Sequence, residues 1–159
     1  MVRGLKIAFM LMVAFWAFIA VLGNLTQPGV TYAQVRHVTT MPMFKPGEGP
    51  PWASDNAVLI WMGVALIVLG KLAGLFATAY GAAGMYRARH ADGAVFNASK
   101  KWAILGCGIA IGWLFLGFTT IGENFFYMFL DETGRSSAES AFRYGAMTAL
   151  MMIFVAQPD

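Results

Sequence analysis

Charge is what this sequence has least of. Only 12% of its 159 residues are Asp, Glu, Lys or Arg, against about 25% in a soluble domain. The apolar share is 58% and the mean hydropathy is +0.63. A chain so poor in charge points to a membrane protein before any motif is sought. Cysteine is nearly absent: Cys107 stands alone, which excludes an internal disulfide and any CxxC metal motif. The two histidines, His37 and His90, fall between the apolar runs, so no run offers an axial ligand to haem or chlorophyll. A Gly-rich phosphate loop and a nucleophile–base pair are also missing. We therefore expect no enzyme, no cofactor and no metal. The pI near 9.2 does not imply nucleic acid, because the basic residues sit beside apolar runs and form no polar face.

Four apolar runs fill most of the chain: about 7–23, 57–84, 102–130 and 141–156. About 20 residues cross the ~30 Å hydrocarbon layer. The second and third runs are long enough outright. The first is marginal, and the fourth needs Phe142 to Tyr144 at its interface. The expected fold is all-α, an integral membrane four-helix bundle in one domain over 1–159. The first run has a basic start and could be taken for a secretory signal, but no A-x-A site follows it. It is read as a retained helix.

Six of the eleven Lys and Arg residues are Arg3, Lys6, Arg87, Arg89, Lys100 and Lys101. The positive-inside rule places them on the cytoplasmic side, giving N-in/C-in topology. The basic inner loop is then 85–101, and Arg87, Arg89, Lys100 and Lys101 are expected to meet lipid headgroups. The long outer loop is 24–56. Within it, QPGVTYAQVRHVTTM suits a short amphipathic helix lying over the bundle, while Pro46, Pro50 and Pro51 prevent a helix further on. Ser54-Asp55-Asn56 reads as the N-cap of the second membrane helix.

Two intramembrane polar residues stand out. Lys71 interrupts AVLIWMGVALIVLGKLAGLFATAYGAAG about halfway, where insertion scales put the cost of a Lys at about 2.5–3.5 kcal/mol. The plain reading is that it snorkels to water or forms a structural pair. The sharp one is contact with a substrate, ion or quinone. Glu123 lies between an apolar helix and NFFYMFL. If the third helix continues through that run, Glu123 ends roughly 9 Å further out than Lys71, close enough to pair through long side chains. Glu123 is expected to be hydrogen-bonded or paired, with Arg36 and Arg143 as further partners. Gly70 and Gly74 form one GxxxG and Gly108 and Gly112 another. Both are expected to serve helix packing.

Several motifs in order carry a family resemblance: GNLT ending the first helix, YAQVRHVTTM, AVFNASK, FTTIGENFFYMF, AFRY and a terminal QPD. The chain resembles, over roughly residues 5–159, a family of small four-helix bacterial inner-membrane proteins described as predicted small integral membrane proteins. That resemblance implies fold and membrane location. It supplies no activity.

The leading functional reading is a non-catalytic accessory or structural subunit of a larger membrane complex of respiratory, photosynthetic or monooxygenase type. Its partners would be the lipid bilayer and other membrane subunits, with no nucleic acid. The alternative is a small transporter, channel component or quinone- or lipid-binding protein using Lys71 and Glu123.

Overall fold

The computed structural model describes residues 1–159 and is all-helical. Helix α1 spans Val2–Thr26, α2 Pro28–Thr40, α3 Ala57–Arg87, α4 Gly93–Ser99, α5 Lys101–Leu114 and α6 Glu132–Ala156. A π-helical segment, Phe115–Glu123, continues α5, and a 3-10 turn covers Met128–Leu130. Three helical runs are long and apolar enough to cross a membrane: Val2–Thr26, Ala57–Arg87 and Gly93–Glu123. The last of these strings α4, α5 and the π-helical segment together through Lys100, which keeps a right-handed helical backbone. Helix α6 is as long as α1, but its first half carries Glu132, Arg135, Glu139 and Arg143.

The ends follow local chemistry. Pro28 sits at N1 of α2, where its missing N–H costs nothing. The Asn56 side chain accepts from the Val58 and Leu59 amides and caps α3. Asp92 caps α4 through Val95, and Asp131 caps α6 through Gly134. The Pro-rich stretch before α3 forms only turns.

Helices α3 and α5 pack along much of their length, with α1 against α3 and α6 against α5 and α1. The inner face is small-residue. A Cβ on Gly81 would fall on the Ala103 backbone, and one on Gly106 would fall on Thr78. Such contacts let two backbones meet, which drives association where lipid is as apolar as the helix faces. The core beside them joins Met10, Val13, Ala82, Met85, Phe96, Cys107 and Val155. Large apolar side chains such as Phe15, Leu69, Phe76, Phe115 and Phe142 face outward instead. Apolar surface all round is the pattern of helices in lipid.

Three sequence expectations need correction. The third helix does not run to Leu130: after Leu114 its backbone widens into i→i+5 bonding, and the chain turns at Tyr127, whose φ is +53°. Both the Phe125 and Phe126 amides bond to the Ile121 carbonyl. Met128 then folds back against Gly122, where a Cβ would meet its sulfur. Second, the fourth helix begins at Glu132, not near 141, because Asp131 supplies its cap. Third, the second GxxxG is not an internal contact. A Cβ on Gly108 or Gly112 meets nothing within 4 Å, whereas Gly70 abuts Trp113 and Gly74 abuts Ala110.

Gly81→Ala and Gly106→Ala are therefore expected to destabilise the purified protein by about 1–3 kcal/mol, the usual range for overpacking. Gly108→Ala should stay within about 0.5 kcal/mol. Thermal unfolding in detergent distinguishes them, and equal midpoints would contradict the packing described.

Candidate functional site

Polar side chains gather at the two ends of the molecule. Toward one of them the α1–α2 corner meets the middle of α3. Lys71 donates to Asn24 Oδ1 at 2.6 Å, and Asn24 Nδ2 donates to Thr31 Oγ1 at 2.6 Å. Lysine has no acceptor, so the Asn24 oxygen must face it, and its amide nitrogen is left for Thr31. Thr31 is buried in the first turn of α2. One chain of two bonds thus ties α1, α2 and α3.

Glu123 takes no part in it. Its carboxylate makes no hydrogen bond and no ion pair within 4 Å, which overturns the expected pairing. Glu123 is the last residue of the π-helical segment, and the chain turns away at Tyr127. The other proposed partners are engaged elsewhere. Arg36 grips Asp55 through Nε and Nη2, at 2.6 and 2.5 Å, and Arg143 donates to Ser140. The Arg36 hydrogen bond holds the Asp55 carboxyl below its ordinary range.

NFFYMFL still covers the preceding loop, as a turn and not as a helix. Trp52 stacks on Phe125 with centroids 4.9 Å apart, and its indole N–H donates to the Phe125 carbonyl. Nearby, His37 Nε2 meets Asp131 Oδ2 at 2.7 Å, so α2 is linked to the cap of α6. That bond, with the Gly134 amide, lowers the Asp131 pKa.

The opposite end holds a cluster that sequence inspection did not identify. Lys6 and Lys100 are each only 2% exposed. Lys6 Nζ reaches the Gln157 carbonyl at 2.6 Å and Asp159 Oδ2 at 3.1 Å. Lys100 Nζ reaches the same carbonyl at 2.7 Å, the same carboxylate oxygen at 2.7 Å, and Asn97 Oδ1 at 2.6 Å. Three acceptors match the three N–H donors of an ammonium. Phe96 lies under Lys100 and under Arg3. Arg3 in turn donates to the Arg89 and Ala91 carbonyls. The available signals were QPD, already a motif, and, far from it in the chain, the basic Lys6 and the Lys100-Lys101 pair. Nothing in the spacing of 6, 100 and 159 shows that they converge.

Lys100 is consequently withdrawn from the expected headgroup contacts. Its side chain points into the fold because α4 and α5 join there and Asp159 neutralises it. Arg87 and Lys101 remain exposed, and Arg89 is half-buried.

Burial pushes the Asp159 carboxyl up, but hydrogen bonds from Lys100 and Lys6 outweigh it and hold its pKa below the usual range. Such a group adds stability that is full above the ordinary carboxylate pKa of about 4. That stability is lost as pH falls through the depressed folded value. Asp159→Asn should cost about 3–5 kcal/mol, the range for removing one member of a buried pair. The loss of midpoint below pH ~4 should also be shallower in the variant, measured by unfolding in detergent across pH. An unchanged acid limb would contradict the linkage.

A second prediction concerns the other end. Asn24→Leu leaves the Lys71 ammonium without an acceptor and should cost about 1–3 kcal/mol. Lys71→Met should cost less, and adding it to Asn24→Leu should restore stability. A Lys71→Met more damaging than Asn24→Leu would contradict this order.

No curated protein and no solved structure matches this chain. The family model for predicted small integral membrane proteins, DUF2165, matches residues 2–158. With its several long apolar helices the chain is an integral membrane protein, and it belongs to that family.

Proposed function

We propose that this protein is a non-catalytic structural subunit that packs against a larger complex in the bacterial inner membrane. The observation that carries the reading is the open face of α5. Gly108 and Gly112 are exposed, one turn apart, with no neighbour from their own chain. A small-xxx-small pair lets a second helix backbone come close. The exposed Phe115 and Leu116 follow directly, at the start of the π-helical segment.

In this reading α6 is the fourth crossing. It starts beside His37 at one end and finishes beside Lys6 at the other, and its 25 residues span about 38 Å. Both termini then share one side with Arg3, Lys6, Arg87, Arg89, Lys100 and Lys101, which the positive-inside rule makes cytoplasmic. An ion or ligand role for Lys71 and Glu123 acting together draws no support from their geometry. The first is bonded to Asn24 and the second has no partner.

Tagged protein at native expression, isolated from mild-detergent membranes, should bring down stoichiometric membrane partners identifiable by mass spectrometry. Gly112→Leu should abolish that co-purification and leave the unfolding midpoint unchanged. A wild-type protein isolated alone would overturn the proposal.

A further inference from the structure

The end that carries both termini also has an open groove of about 720 Å³ between the start of α1 and the end of α3. Its floor is apolar: Ile7, Ala8 and Leu11, all on one face of α1. Its rim is basic, formed by Arg3, Arg89 and His90. Arg3 is fixed in place by its bonds to the Arg89 and Ala91 carbonyls. Arg89 spends one N–H on the Tyr86 carbonyl at 2.9 Å and lies 4.0 Å from the centre of the Tyr86 ring. Its remaining N–H groups have no partner in the chain. The one acid at the rim is Asp159, already engaged by Lys6 and Lys100.

We propose that this groove binds one anionic phospholipid. The phosphate diester would meet Arg89, with Arg3 and His90 beside it, and an acyl chain would run along Ile7, Ala8 and Leu11. Two features together select this occupant. A basic rim at the end of membrane helices complements an anionic headgroup. An apolar floor continuing along α1, where Leu11 is exposed, gives the chain a path that a free phosphate has no use for. The membrane itself supplies the ligand, so the site does not depend on any protein partner.

The test is native mass spectrometry of the full-length protein in a neutral detergent, titrated with dioleoyl-phosphatidylglycerol or dioleoyl-phosphatidylcholine. One phosphatidylglycerol should be retained in preference to phosphatidylcholine. Arg89→Gln should weaken retention about fivefold, the loss of one basic residue near a headgroup. It should leave the fold intact, because the Arg89 side chain bonds only to the Tyr86 carbonyl and the Arg89 carbonyl that Arg3 uses is unchanged. Ala8→Trp, which fills the floor, should also weaken retention, whereas Lys101→Gln should not. Inorganic phosphate at millimolar concentration should not compete. Equal retention of the two lipids would overturn the proposal. So would equal effects of Lys101→Gln and Arg89→Gln with none from Ala8→Trp, which would indicate a diffuse basic belt. Displacement by phosphate would reduce the site to an anion site.

Discussion

Between Thr78 and Gly106 the backbones of α3 and α5 come too close for a side chain, and the same is true between Gly81 and Ala103. Other contacts are arranged around that line. Met10 and Val13 of α1 close over it at one end, with Phe96 beneath and Val155 from α6 completing the core. In lipid no hydrophobic force brings helices together, so contact area between small residues has to do it. This explains why large side chains such as Phe15 and Phe76 can point outward while Gly81 and Gly106 lie at the inner seam.

Helices and loops were largely legible in the sequence because the bilayer enforces them. An unbonded backbone cannot lie in hydrocarbon, so apolar runs of sufficient length become helices, and Pro46, Pro50 and Pro51 mark where one cannot form. The amphipathic α2 followed from its mixed composition, and the α3 cap followed from Asn56. The π-helical segment did not, because FLGFTTIGE has the composition of an α-helix. It ends where Met128 returns against Gly122, a contact with residues beyond it in the chain. Glu123 closes that segment without a partner, while Lys71, Arg36 and Arg143 bond elsewhere.

The polar residues show the same division. Lys71 was conspicuous from composition alone, but its partner was not, because an amide at the end of α1 answers it in place of a carboxylate. Lys100 was recognisable as basic and juxtamembrane, yet its burial depends on Asp159 arriving from the far end of the chain. Of the two GxxxG pairs, the first packs within the chain and the second does not. The motif has the same letters in both places. Only the rotation of α5 separates an internal face from one left open.

Asp159 is separated from Lys6 by 153 positions and from Lys100 by 59. In loop-closure terms both pairs are long-range, and they gain only once the helices between them are paired. The one carboxylate is what lets two ammonium groups share a pair of acceptors, so losing it would release α1, the α4–α5 junction and the segment after α6 from one another together.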